Sequence, residues 1–418
     1  MASRVAGSIH ASPSKSYTHR AIVLAALSRG PCHLHRPLLA EDTQATIQGM
    51  CAFGADITRT EDGLRISAGQ MHAPDAPIDA RNSGTTLRFL SGVASLFPGP
   101  TVLTGDASLR NRPMGPLLDA LERFGARAES LGGEGRPPVK IQGVLRGGQA
   151  SVPGFISSQF LSSLLIACPL GANPSEIRVV PPIRSAPYVA MTRRAMSAFG
   201  VEVDVEENAF RIEGGQSYTP TDVDIPGDFS SAAFPLVAAV ITDGDVTVDG
   251  LNADSPDGDS RIVDLLRSFG ARVDTSPNRV RVRTGDLVGQ TVDVADTPDL
   301  FPVLAVLATQ ADGETRFVHG EHLPLKESDR IAATVSMLRA IGGRAETTAD
   351  GCIVRGPERL HGGSIDTRGD HRMLMAAAVA GLTAGGPLDI SDPWCFQVSY
   401  PSFLDDMRAL GAFHAVVG

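Results

Sequence analysis

One short phrase recurs six times along the chain: an apolar pair, a glycine, then a strand-like segment. The copies read "CAFGADIT", "ERFGARAE", "SAFGVEVD", "RSFGARVD", "RAIGGRAE" and "RALGAFHA". Their glycines, Gly54, Gly125, Gly200, Gly270, Gly342 and Gly411, stand 71, 75, 70, 72 and 69 residues apart by subtraction, so six units of about 70 residues account for the whole chain. At 418 residues the chain is too long for one ordinary core. The repeats must therefore divide among domains.

Within each unit the phrase closes an amphipathic helix, as in "SRIVDLLRSFG", with glycine just past its end, and opens a strand pair around a polar turn, as in "ARVDTSPNRVRVR". A second kind of helix recurs between these and is apolar all round: "SKSYTHRAIVLAAL", "NSGTTLRFLSGVASLF", "SSQFLSSLLIACPL", "GDFSSAAFPLVAAVI", "TPDLFPVLAVLAT" and "GDHRMLMAAAVAGL". Such helices are buried ones. Each unit reads as buried helix, strand, amphipathic helix and two strands. This predicts an α/β protein of two similar domains, each of three repeats with the buried helices inside. Periodicity places the division near Tyr218 to Phe229. The residues before Ser12 read as a lone strand whose partner the pattern does not identify.

The polar groups of the buried helices crowd their N-terminal ends. The expected first residues are Ser14, Asn82, Ser157, Asp228, Asp299 and Asp370, all of types that cap helices. A cap needs one oxygen, yet the first helix adds Lys15, Ser16 and Arg20, the second Thr85 and Arg88, and the sixth His371 and Arg372. Helix N-termini carry partial positive charge and free N–H groups, so with added cations they make sites for phosphate or carboxylate. "LRNRPMG" contributes Arg110 and Arg112 ahead of a helix with Pro113 at its start, and "LPLKESDRIAATV" contributes Lys326, Glu327, Asp329 and Arg330. Read alone, "KESDR" is a solvated, mutually paired helix start.

A net charge of −10 argues against a general nucleic-acid or anionic-membrane binder, so an anionic ligand must be met by a local cluster. The five cysteines lie far apart without C-x-x-C spacing, which reads as reduced thiols and suggests neither a zinc site nor a redox role. The N-terminal segment has no signal-peptide core, and no apolar run is long enough to span a bilayer. A cytoplasmic protein is expected.

In order, and across nearly the whole chain, "SKSYTHRA", "NSGTTLR", "RNRPMG", "SSQFLSSLL", "SAPY", "LKESDRI" and "GDHRM" resemble the successive motifs of the EPSP synthase (3-phosphoshikimate 1-carboxyvinyltransferase) family. The resemblance implies an inside-out fold of six βαβαββ units. It also implies that the N-terminal strand belongs with the C-terminal domain, giving domains of residues 12–224 and of residues 1–11 with 225–418. The implied reaction moves the enolpyruvyl group of phosphoenolpyruvate onto the 5-hydroxyl of shikimate 3-phosphate and releases phosphate. By motif position, Lys15, Ser16, Arg20, Ser157, Ser158, Gln159, Ser185, Tyr188, Asp299, His322 and Lys326 would hold shikimate 3-phosphate. Lys15, Asn82, Gly84, Arg112, Gln159, Arg330 and Arg372 would hold phosphoenolpyruvate. Glu327 resembles the proton donor and Asp299 the acceptor, with Lys15 assisting. No metal or organic cofactor, no nucleic acid and no membrane is implied, and a monomer is expected.

Two positions depart from the family pattern. His322 stands where asparagine is frequent, and Val398 where many members carry a lysine at phosphoenolpyruvate, a lost cation that Arg110 could replace. Two other functions are weighed. The sister transferase acting on UDP-N-acetylglucosamine has a cysteine five residues before its Arg-Pro, where this chain has Ala107. A homologue that binds phosphometabolites without catalysis would not need both candidate carboxylates.

Overall fold

A computed structural model describes residues 4–412, which form two units. The first is Pro13–Ile225, and the second joins the residues up to Ser12 to those from Pro226 onward.

Every repeat glycine does the same local work. Gly54, Gly125, Gly200, Gly270, Gly342 and Gly411 have φ of +95, +99, +80, +99, +89 and +87°, the left-handed region in which a side chain is strained. Each directly follows the residue that ends an amphipathic helix. The amide of Gly270 donates to Arg267 O and that of Ala271 to Leu266 O, both at 2.9 Å, and the same pair of bonds closes the other five helices. This is the Schellman termination, which satisfies two helix carbonyls and turns the chain toward the sheet.

The sheets repeat as faithfully. In the first unit they run Val223–Asp224, Cys32–His35, Gly63–Ser67, Asp56–Arg59; then Ile78–Asp79, Thr101–Thr104, Val139–Gln142, Arg127–Ser130; then Gly148–Pro153, Ser175–Val180, Ala209–Ile212, Asp204–Glu206. In each, the first pair is parallel and the next two pairings are antiparallel. The second unit has two sheets of the same order, one of them Ala6–His10, Asp245–Asp249, Arg279–Arg283, Arg272–Ser276, and a two-stranded parallel sheet from Gly363–Ile365 and Leu388–Ile390. These are βαβαββ units. The strand pair expected after "RALG" in the sixth repeat lies outside the described residues.

Ala6–His10 runs parallel to Asp245–Asp249 and leads the fourth repeat, while Val223–Asp224 leads the first. Each unit thus takes one strand from a distant part of the sequence.

The apolar helices form the core of each unit. All eight residues of Phe301–Ala308 are buried, and this helix packs with Phe229–Ile241 and His371–Gly381. In the first unit Gly84–Ala94 packs against Lys15–Ala26 and Ser158–Ala167. The sheets alternate accordingly. Val280 and Val282 face the core, whereas Arg279 and Arg281 face outward to Asp249 and Asp245.

Three helix starts differ from the sequence reading. Ser83, not Asn82, caps Gly84–Ala94, its Oγ accepting from the Thr86 amide. The helix Phe301–Ala308 begins after Leu300 rather than at Asp299. In both cases the polar side chain is taken by an arginine, which binds a carboxylate or amide oxygen more strongly than a helix amide does. Gly115–Arg123 likewise begins two residues after Pro113.

Candidate active site

In the first unit Ser14 caps Lys15–Ala26, accepting from the Tyr17 amide at 3.3 Å, and Lys15 heads the helix. The Lys15 ammonium meets Asp42 at 2.9 Å, with the two side chains only 13% and 9% exposed. Asp42 is a residue the motifs did not flag, because its role arises from a contact rather than from its neighbours in sequence. It is fixed in turn: Thr86 Oγ1 donates to the Asp42 carbonyl oxygen at 3.2 Å. Thr86 also lies 2.7 Å from Thr46, which lies 2.7 Å from Nδ1 of buried His19. Burial, then Lys15 and Arg20, holds His19 well below its ordinary pKa, so the ring is neutral.

Arg20 is buried over the ring of Phe89, with the guanidinium carbon 5.3 Å from the centroid. It donates to the carbonyl oxygens of Ser16 and Tyr188 and to Thr192 Oγ1 at 2.8, 2.9 and 2.8 Å. The start of Ala186–Ala198 is thereby pinned to the first helix. Ser185, just before it, is buried with φ +58°, a conformation costing a non-glycine residue about 1 kcal/mol or more.

The structure brings Asn82, Gly84, Arg112 and Gln159 together. Arg112 donates to Asn82 Oδ1 at 2.9 Å, and Asn82 Nδ2 donates to Asp106 at 2.6 Å. Arg88, buried against the ring of Phe160, donates to Gln159 Oε1 at 2.6 Å, and Gln159 Nε2 donates to Thr85 at 2.9 Å. A Cβ added to Gly84 would stand 3.0 Å from Arg112 Nη1 and 3.1 Å from Arg88 Nη1, so glycine keeps the helix start open beside two guanidiniums. Ser157 caps Ser158–Ala167 through the Gln159 amide at 3.3 Å. Arg88 is the arginine that the motif reading noticed without assigning a role.

In the second unit one guanidinium organises the cluster. Arg330, 1% exposed, donates to Asp299 at 2.7 Å, to Glu327 at 2.7 Å and to Asp370 at 3.0 Å. Arg372 holds the other Asp299 oxygen at 2.7 Å. Asp370 is fully buried and also caps His371–Gly381 and accepts from Ser328. The "KESDR" segment is therefore not a solvated helix start. Asp329 alone serves as the cap, accepting from the Ala332 amide at 3.1 Å. Burial alone would raise the Asp299 carboxyl, but Arg372, Arg330 and Lys326 outweigh it and hold the group well below the usual carboxylate range. Burial likewise opposes the Arg330 charge, yet Asp370, Glu327 and Asp299 hold its proton more tightly than usual. His322 is buried, and Val398 ends the short turn Cys395–Val398, half-buried.

The two clusters differ in character. Among the described residues the first has four cations, Lys15, Arg20, Arg88 and Arg112, with Asp42 beside Lys15 and Asp106 beside Asn82, an excess of cations suited to an anion. The second balances Lys326, Arg330 and Arg372 against three carboxylates, which suits proton transfer.

The six-repeat α/β architecture is the enolpyruvyl transferase fold. The enolpyruvyl transferase NikO from Streptomyces tendae superposes with a TM-score of 0.77 at 18% identity, covering 98% of this chain and 96% of that one. The EPSP synthase from Acinetobacter baumannii superposes with a TM-score of 0.82 at 31% identity, over 99% and 97% of the two chains. The 3-phosphoshikimate 1-carboxyvinyltransferase of Methanocorpusculum labreanum is 45% identical over 98% of this chain and 97% of its own. The family model for EPSP synthase (3-phosphoshikimate 1-carboxyvinyltransferase) matches residues 1–407, and the chain belongs to that family. No helix among the described residues is long and apolar enough to cross a membrane.

Proposed function

We propose that this chain transfers the enolpyruvyl group of phosphoenolpyruvate to the 5-hydroxyl of shikimate 3-phosphate, yielding 5-enolpyruvylshikimate 3-phosphate and phosphate. The observation that carries this reading beyond family membership is Arg330, a single guanidinium holding both Asp299 and Glu327, the two carboxylates the chemistry needs.

In the proposed reaction Glu327 gives a proton to the methylene carbon of phosphoenolpyruvate. The 5-hydroxyl oxygen bonds to the resulting cationic C2, and its proton passes to Asp299. The product is a tetrahedral ketal. Glu327 takes a proton back from the new methyl group, restoring the double bond as the C2–O bond to phosphate breaks, and the departing phosphate takes up the proton held by Asp299. The two carboxylates suit unequal tasks. An attacking hydroxyl becomes strongly acidic as it bonds to a cationic carbon, so a weak base such as Asp299 suffices. Protonating carbon is harder and requires a neutral acid. Glu327 is ion-paired with Arg330 in the structure. An incoming anion that engages Arg330 weakens this pair and places like charge nearby, both of which favour the protonated carboxyl.

Binding roles follow the motifs. Lys15, Ser16, Arg20, Ser157, Ser158, Gln159, Ser185, Tyr188, Asp299, His322 and Lys326 serve shikimate 3-phosphate. Lys15, Asn82, Gly84, Arg112, Gln159, Arg330 and Arg372 serve phosphoenolpyruvate, with Asp42 positioning Lys15. A cytoplasmic monomer needing no cofactor completes the proposal. Phosphate release in the presence of both substrates, and not with either alone, tests it. Release with UDP-N-acetylglucosamine in place of shikimate 3-phosphate would overturn the assignment.

A further inference from the structure

On the outer face of the first sheet, in none of the motifs above, three donor groups converge. Along Cys32–His35 the buried positions are Cys32 and Leu34, so His33 and His35 point outward on one face. The turn between Asp56–Arg59 and Gly63–Ser67 brings Asp62 to both. His35 Nδ1 is 2.8 Å from Asp62 Oδ2, and His33 Nε2 is 3.1 Å from Asp62 Oδ1. The imidazole centroids are 4.1 Å apart at 60°, and the three ligand atoms lie within 4.8 Å of one another. Around one tetrahedral zinc ion, with bonds near 2.0–2.2 Å, donors stand about 3.3 Å apart. Small rotations of partly exposed side chains close that difference.

Thr60 Oγ1 lies 3.0 Å from His33 Nε2 and donates to Asp62 Oδ1 at 3.1 Å, and the backbone beneath is fixed as well. Arg36 N–H donates to the Asp62 carbonyl oxygen at 2.9 Å, Thr60 N–H to Gly63 O at 3.0 Å, and His33 N–H to Asp222 at 2.7 Å. Strand and turn are therefore fixed relative to each other while the three side chains remain accessible. A depression lined by Pro31, Thr60, Arg65 and Asp222 opens beside His33, leaving room for water or an anion as a fourth ligand. Arg65 opposes a cation there and favours an anionic fourth ligand. Two imidazoles and one carboxylate match zinc, nickel or cupric ions rather than magnesium or calcium, which take oxygen donors.

We propose that His33, His35 and Asp62 form a binding site for one divalent transition-metal ion, distinct from the catalytic clusters and clamping the 60–62 turn to the neighbouring strand. The site takes no part in enolpyruvyl transfer.

Calorimetric titration of metal-stripped protein with zinc chloride, paired with cobalt titration followed by visible absorbance, tests this. One zinc per chain at micromolar affinity is expected, with cobalt bands in the range given by mixed nitrogen and oxygen ligands and no response to magnesium. His33→Ala and His35→Ala should each weaken zinc by about tenfold or more. His72→Ala, which removes an exposed histidine elsewhere in the same unit, should leave it unchanged. Circular dichroism confirms that each variant is folded, and since both ligand histidines are partly exposed, Gln replacements serve if an Ala variant is not. Absence of zinc binding up to millimolar concentration, or unchanged affinity in the His33→Ala/His35→Ala double variant, overturns the proposal.

Discussion

Arg330 shows how one side chain is shared between stability and chemistry. Its three carboxylate partners each take one guanidinium nitrogen, an arrangement that lysine, with a single ammonium point, could not reproduce. If Glu327 is the acid, Glu327→Gln keeps a side-chain oxygen for Arg330 and removes only the proton. The variant should lower kcat by about 10² to 10⁴. Calorimetry should find shikimate 3-phosphate binding nearly intact, and near-normal turnover would remove Glu327 from the role. Asp299 makes a pH prediction. Its carboxyl is depressed in the folded state, so its contribution is complete above the unfolded value near 4 and is lost only as pH falls through the much lower folded value. The melting-temperature gap between native protein and Asp299→Asn should therefore stay constant from pH 7 to about pH 4.5. Below about pH 4 the gap should narrow as the unfolded carboxyl binds its proton first, and a gap that stays constant there as well would show a carboxyl titrating as it does in the unfolded chain. The motifs made both carboxylates visible in the sequence. Asp42 and the third grip of Asp370 were not visible, because each depends on a partner distant in the chain.

At the scale of the element, the six glycines were the most legible feature, since a Schellman termination is written in consecutive residues. Their surroundings are not identical, and this separates backbone strain from crowding. A Cβ on Gly411 would meet nothing nearer than Arg4 O at 3.6 Å, whereas one on Gly270 would lie 2.1 Å from Asp286 O. Gly411→Ala should cost only the left-handed penalty of about 1–2 kcal/mol, and Gly270→Ala about 3 kcal/mol or more. Chemical denaturation of the two variants checks the order, and equal losses would mean that Asp286 moves aside freely. Helix starts were less legible than helix ends. At Asn82–Ser83 and Asp299–Leu300 the polar residue best suited to cap by type is taken by Arg112 or by Arg330 and Arg372, so the helix begins one residue later.

At the scale of the whole molecule, local pattern gave six units but not how the chain completes them. Ala6–His10 pairs with Asp245–Asp249, a partner more than two hundred residues away, and Val223–Asp224 pairs with Leu34 and His35. Periodicity carries no information on such pairings, and only the family resemblance suggested the first. Removing residues 1–11 should strip one side of the sheet containing Asp245–Asp249 and take Val5 and Ile9 from its core. Hydrogen exchange should then accelerate at Asp245–Asp249 while Cys32–His35 stays protected, and a uniform loss of protection would contradict independent sheets. The central claim is that the chain performs enolpyruvyl transfer by addition and elimination, through protonation of the phosphoenolpyruvate methylene. Turnover in deuterium oxide, with the product examined by mass spectrometry, tests it most directly. The account predicts product molecules bearing deuterium on the enolpyruvyl methylene, formed only when both substrates are present. Product formed at a normal rate without any deuterium at that carbon would contradict it.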